Sequence, residues 1–443
     1  MKRKIGIIVL MVGLVLSGAV YASPGKDLLL KNGQILLIKD DSVIEGDILI
    51  KDGKIAKVGS GIKAAAETEV IDLDGKWVMP GIIDSHSHIA IEGSVNEMGD
   101  LMTPEVDIKD VINPEDISIF YALTGGVTSI HTMHGSGNPI GGRGIVLKLR
   151  WGKTAEEMIF EGAPLTVKWA LGENPKRSNF FSPGPARYPR TRMGVEASIR
   201  YEFEKTKDYM AQWDGYRAKV KKWKGTGTKP LPPRKDYRLE VMADILKGKY
   251  WVRCHAYQSE EMVSILKLCK EYGLKLVCFE HGLEGYRITN ELVEYEVAVS
   301  TFADFWSYKW EAYYTMPHAV DLMAKRGVLV AINSDDGERM RHLFNDAAKA
   351  VRFGGLSEHE ALKTLTINPA ILMGIDQQTG TIEAGKDADL AVFNRHPLDS
   401  TTVCEMTLVD GEVLFDRTKY LEDRQKAVEE KKKKEEEKKE DKE

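Results

Sequence analysis

Four short apolar runs in this chain end alike, in a side chain of the kind that binds divalent metals. The run VMPGII (78–83) leads into DSHSH, which sets His86 and His88 two residues apart. On a strand, side chains two apart share a face, so both imidazoles can meet one ion. YWVRC (250–254) runs into His255, LVCFE (276–280) into His281, and VLVAINS (328–334) into Asp335. Each run precedes a helical pattern. A chain that repeats strand, ligand and helix needs a fold in which several parallel strand ends open on one site. A (β/α)8 TIM barrel does this at its C-terminal face. Imidazole nitrogen combined with carboxylate oxygen suits Zn2+, and Mn2+ or Fe2+ would accept the same donors.

In order, spacing and strand context, this set resembles the metal-dependent amidohydrolase superfamily, and within it the imidazolonepropionase-like branch. The resemblance implies His-x-His on the first strand (His86, His88), His on the fifth and sixth (His255, His281) and Asp on the eighth (Asp335). It further implies one or two divalent ions per chain, Zn2+ by default, with His86, His88 and Asp335 holding the more buried one. Hydrolysis of a carbon–nitrogen bond by a metal-activated hydroxide would follow, with Asp335 as the catalytic proton carrier. A second ion needs a bridging ligand, and PLTVKWALGENPKR offers Lys168 and Glu173. Five residues apart, they face opposite ways on a regular strand, so one of them bridges. Glu173 is the expected ligand: it lies just past the apolar stretch, in an ALGE context that resembles the glutamate-bridged adenine deaminases. Lys168 is the alternative, because its VKW context resembles dihydroorotase-like members, where the strand lysine is carboxylated.

The rest of the chain organises around that barrel. Residues 1–22 read as a cleavable export signal: MKRK, an apolar core and a Val-Tyr-Ala end. The expected location is therefore periplasmic or secreted, with no stable membrane span after cleavage, since the apolar run falls short of about 20 residues. Residues 25–79 and 377–418 carry short strands with turn signals at Asn32-Gly33 and Asp52-Gly53, and are expected to join as one composite β-sandwich. Residues 80–376 alternate strands and helices, with expected strands at 78–83, 127–131, 144–149, 165–171, 251–254, 276–279, 297–302 and 328–332. An insertion over about 178–248, helical at 195–222, either covers the mouth or forms a peripheral or oligomer-contact element. Residues 419–443, nearly all Lys and Glu, make a solvated helix or a disordered tail. Cys254, Cys269 and Cys278 read as small buried hydrophobes, with Cys254 and Cys278 facing away from the barrel interior.

A net charge of −5, without a basic stripe, argues against a nucleic-acid partner and leaves a small-molecule substrate, with a homo-oligomer open. His131 and His134 open a glycine-rich loop, HGSGNPIGGRG, at the expected mouth. His134 and Arg143 are candidate contacts for an anionic substrate group, and Arg253 and Tyr257, which flank His255, are candidate substrate contacts. The phrase SPGPARYPRTR (182–192) adds further cations. His318, His342, His359 and His396 fall on helical or surface patterns without a catalytic role. The same metal site would serve a deaminase of a heterocycle, and a non-catalytic metal-containing binding protein is the rival from another class. The full set of strand-end ligands weighs against the latter.

Overall fold

The computed structural model describes residues 27–176, 187–305 and 307–440. The expected export signal, the start of the insertion with part of SPGPARYPRTR, and Trp306 lie outside the described residues.

Five strands precede the barrel: β1 (Leu28–Leu36), β2 (Val43–Lys51), β3 (Lys54–Gly59), β4 (Glu69–Asp72) and β5 (Trp77–Pro80). Eight follow: β6 (Ile82–Ser87), β7 (Val127–Thr132), β8 (Ile140–Lys148), β9 (Thr166–Ala170), β10 (Trp251–Ala256), β11 (Leu276–His281), β12 (Ala298–Thr301) and β13 (Val330–Ile332). The last three are β14 (Leu390–Phe393), β15 (Cys404–Val409) and β16 (Glu412–Asp416).

The N- and C-terminal strands form one sheet in the order β16-β15-β14-β5-β1-β2-β3, with β4 on β1. The seam between the terminal halves is the antiparallel β5–β14 pair. Its core gathers Leu30, Ile35, Ile48 and Val78 from one half with Leu390, Val392 and Leu408 from the other. Asp52-Gly53 makes the β2–β3 hairpin turn, both residues at positive φ (49° and 75°), as such a two-residue turn requires. Asn32-Gly33, by contrast, is no hairpin turn: it sits inside β1 where the register against β2 shifts, a bulge with Asn32 at φ 58°.

The expected first barrel strand, 78–83, is in fact divided. Val78 and Met79 belong to the sandwich, and the chain crosses into the barrel at Gly81, whose amide donates to the Asp389 carbonyl at 2.8 Å. A Cβ on Gly81 would lie 2.1 Å from Thr128 Oγ1, so no side chain fits at this crossing.

The eight barrel strands run in sequence order from β6 to β13. The third is exceptional: β8 is antiparallel to both β7 and β9. Only the short 133–139 connection separates β7 from β8, too little for the helix that a parallel crossover uses. Near closure between first and last strands comes from Asp335 N–H donating to the His86 carbonyl (3.0 Å) and Ser334 N–H to Asp84 (3.1 Å). At the opposite end, Ala370, Leu372 and Met373 plug the barrel against Ile83, Val146, Cys278 and Ala298.

Cys278 therefore faces inward, contrary to the sequence expectation, whereas Cys254 packs in the outer strand–helix layer. The alternation argument fails because His281 has φ 70°, which breaks strand parity just before the ligand. All four cysteines are buried and free.

Within the insertion, the helix Arg192–Lys222 packs on the barrel's outside. Phe203 lies 5.6 Å from Trp169 and 5.0 Å from Tyr272, ring to ring. Burial of such a phenylalanine contributes about 1.5–3 kcal/mol. Only the first turn of this helix reaches the rim, through Arg192. The Lys/Glu tail is helical (Arg417–Glu440), anchored at its start by Tyr420 against Phe120 and Phe415 and exposed over 421–435. No helix among the described residues is long and apolar enough to cross a membrane.

Candidate metal centre

Three ligand atoms, one each from His86, His88 and Asp335, lie within 4.8 Å of one another at the C-terminal ends of the first and last barrel strands. His88 Nε2 is 3.0 Å and His86 Nε2 3.4 Å from the same Asp335 oxygen. His281 Nε2 stands 3.9 Å from the other oxygen. His255 completes the ring of imidazoles, 4.6 Å from His281 between ring centres. Asp335 and His281 are held at φ 49° and 70°, conformations that a non-glycine residue adopts at a cost and that concentrate at functional sites.

The donor set suits a cation. His88 Nδ1 lies 3.0 Å from the Met133 carbonyl, which can only accept, so Nδ1 carries a proton and Nε2 is the nitrogen left for a metal. Nε2 faces an Asp335 oxygen at 3.0 Å, so both could serve one cation. Among the described residues, both nitrogens of His255 and Nδ1 of His281 are buried without a hydrogen-bond partner. Burial holds His255 and His281 well below the usual imidazole pKa, and brings His86 to about 4, so these rings offer lone pairs at neutral pH.

Lys168, fully buried on β9, reaches this group: its Nζ is 2.9 Å from His86 Nε2. Burial lowers its pKa, with Glu280 and Asp335 opposing the shift. Glu173, expected as the bridge, is engaged elsewhere. Its carboxylate pairs with Lys176 (2.7 Å) and Arg192 (3.1 Å), in a rim network that also joins Arg192 to Glu261 (2.8 Å) and Lys309 to Glu311 (3.0 Å). The reason is local: the strand ends at Ala170, and the turn that follows, with Gly172 at φ 76°, carries Glu173 to the insertion helix.

The candidate substrate contacts divide similarly. Tyr257 borders the metal ligands, edge-on to His255 (4.7 Å) and stacked on His281 (5.2 Å), with its hydroxyl bonded to that of Tyr308. Phe302 and Phe305 extend this wall. Arg253 is a correction: it is fully buried beneath the site, where its Nε donates to Glu280 at 2.5 Å and Nη2 to the Ser85 carbonyl at 3.0 Å. Strand alternation turned it inward, but one layer too deep for substrate. Arg143 pairs with Asp107 (3.1 Å) and donates to the Glu105 carbonyl (2.9 Å), and His134 Nε2 accepts from Glu97 N–H (2.9 Å). The glycine-rich loop thus spends both side chains on its own fold. His131 lies inside the barrel, bonded to Thr166 (2.8 Å). Sequence reasoning overlooked Glu280, the residue next to His281, because strict alternation turns it outward.

The chain is similar to known amidohydrolases. The profile of the Amidohydrolase family matches residues 315–422. The solved structure of an amidohydrolase from Thermotoga maritima is similar over 88% of this chain and 100% of its own length, at 35% identity and a TM-score of 0.78. Amidohydrolase tasK of Hapsidospora irregularis is 28% identical over 84% of this chain and 40% of its own length, so the chain spans well under half of that relative. A dihydroorotase of Caldicellulosiruptor saccharolyticus is 34% identical over 33% of the chain and 31% of its own.

Proposed function

Since the chain belongs to the amidohydrolase family, we propose that it is a metal-dependent hydrolase of a carbon–nitrogen bond in a small molecule, an amide, cyclic amide or dipeptide. The single observation that carries this reading is the convergence of His86, His88, His281 and Asp335 at one mouth of the barrel, with Asp335 within 4 Å of all three imidazoles. His86, His88 and Asp335 would hold one divalent ion, Zn2+ by preference, and His255 and His281 a second. Lys168, carboxylated on its nitrogen, would bridge the two. When bound, such ions lower the pKa of water from about 15.7 toward neutrality and polarise the scissile carbonyl.

The chain's own residues supply the rest. Asp335 is a quarter exposed toward the mouth and fixed by its backbone bond to His86, which suits it to take a proton from water and return it to the leaving nitrogen. Tyr257, Phe302 and Phe305 form an aromatic wall that limits water around the reacting group. Burial favours the neutral amine of Lys168, the form that reacts with carbon dioxide. Ring deamination is the alternative that fits the same family, but the site does not favour it, because Glu173, the residue that suggested it, is tied to Arg192 and Lys176. Export, proposed from the N-terminal leader, would put this activity in the periplasm or outside the cell.

The test is metal-replete protein against a panel of N-acyl amino acids, dipeptides, cyclic amides and amino-heterocycles. Release of amine from an amide that the Asp335→Asn variant fails to cleave supports the reading. Turnover confined to amino-heterocycles, or turnover unchanged by excess chelator, overturns it.

A further inference from the structure

Beneath the ligands, Arg253 and Glu280 form an ion pair with both side chains fully buried, Nε to Oε1 at 2.5 Å. The other oxygen of Glu280 faces His86 Nδ1 at 3.2 Å. Among the described residues, both atoms are buried without a hydrogen bond of good geometry to any partner, each other included, so each is an unsatisfied polar atom facing the other. On the far side of the same ring, Lys168 Nζ meets His86 Nε2 at 2.9 Å. A carboxylate only accepts, so the Glu280 oxygen favours the ring proton on Nδ1, and Lys168, which keeps an N–H to donate in any of its charge states, fits the Nε2 lone pair that this tautomer leaves. The guanidinium is itself held by the Ser85 carbonyl (3.0 Å), in the residue just before His86.

We propose that Arg253 and Glu280 are a positioning pair, which fixes the His86 ring with its proton on Nδ1 and presents Nε2 to the metal. His88 reaches the same state by another route, its Nδ1 lying against the Met133 carbonyl. The two histidines of the His-x-His pair thus depend on different supports: one on backbone, the other on a buried charge pair. Carboxylates that orient metal-binding histidines in this way typically govern affinity by roughly 10–100-fold. The pair does not touch substrate.

The inference rests on the metal-site reading, and its test separates the two. Nitrogen-15 histidine spectra of the metal-free protein, with His86 identified by its loss in His86→Asn, should show the Nδ1–H tautomer for His86. A ring protonated on Nε2 alone overturns the proposal whether or not metal binds. In parallel, Zn2+ affinity is measured by chelator competition for wild type, Glu280→Gln, Arg253→Met and Arg253→Lys, at a temperature where each variant is folded by circular dichroism. The expected result is a Zn2+ affinity at least 10-fold weaker in Glu280→Gln, with partial recovery in Arg253→Lys relative to Arg253→Met. Wild-type affinity in a folded Glu280→Gln overturns the pair's role. Wild-type protein that binds no Zn2+ at all overturns the metal-site reading, and the metal-free spectrum still decides the tautomer.

Discussion

Lys148, at the end of β8, joins barrel to sandwich. Its ammonium is 2.7 Å from Asp387 and 3.1 Å from Asp389, and it also bonds Asp410. If Lys148 is replaced by Met, Asp387 keeps Lys54 (2.6 Å) and Asp410 keeps Arg150 (2.6 Å). Asp389, fully buried, keeps only the Asp410 amide (2.9 Å), so the substitution strands one buried carboxylate. Burial already raises the Asp389 pKa, with Lys148 pulling it back. Once Lys148 is gone, the least costly response is to take up a proton. Protonating a carboxyl with an unfolded pKa of about 3.9 costs about 1.4 kcal/mol per pH unit above that value, hence about 4 kcal/mol near pH 7 and about 2 kcal/mol near pH 5.5. The higher figure agrees with the ~3–5 kcal/mol for breaking a buried ion pair. The folded variant then binds more protons than the unfolded chain, so its stability falls as pH rises from about 3.9 toward the raised folded pKa. Equilibrium urea unfolding of wild type and Lys148→Met at both pH values should show a gap that widens with pH, and Asp389→Asn in the Met background should close most of it. A gap that is constant, or that narrows as pH rises, refutes the reasoning.

Asp335→Asn should lower kcat by at least about 100-fold while metal content stays close to wild type; an active variant would move the proton carrier elsewhere. Gly81→Ala should cost about 1–3 kcal/mol or more by driving a methyl into Thr128, and Thr128→Ala should recover part of that loss in the double variant; full additivity would refute the contact. Metal-free protein should lose stability on acidification. Burial depresses His86 and His134 to about 4, and His131, His255 and His281 well below their usual range. The folded state then binds fewer protons than the unfolded one, so this stability is present above about pH 6.5 and is lost below it. Asp84, raised by burial to about 7, opposes the trend together with Asp389 and Glu261, which burial also raises, three carboxyls against five imidazoles. Stability that is flat or rising between pH 6.5 and 5 would count against neutral buried rings.

The sequence was most legible where one local rule decided the outcome. Each apolar run ending in a ligand feeds a barrel strand, although the first part of 78–83 belongs to the sandwich, and His86, His88, His255, His281 and Asp335 meet because strand ends in a barrel share one mouth. It was less legible where backbone geometry overrides alternation. The positive φ of His281 puts Glu280 and Cys278 inside the barrel, and no two-residue periodicity reports that. The choice between Lys168 and Glu173 likewise turned on where β9 stops and on the partner that the insertion helix brings, Arg192, nineteen residues beyond Glu173. The arginines were the hardest to read. Arg143 and Arg253 have the residue type for substrate anchoring, but each is held by a carboxylate, Asp107 and Glu280, that is distant in sequence.

The central claim is that Lys168, not Glu173, completes a metal site with the four histidines and Asp335. The most direct measurement is metal content per chain, by mass spectrometry of the elements, for wild type, Lys168→Ala and Glu173→Ala purified without chelator. The account predicts metal in wild type, the same content in Glu173→Ala, and a loss in Lys168→Ala. Metal lost from Glu173→Ala but retained by Lys168→Ala would contradict it.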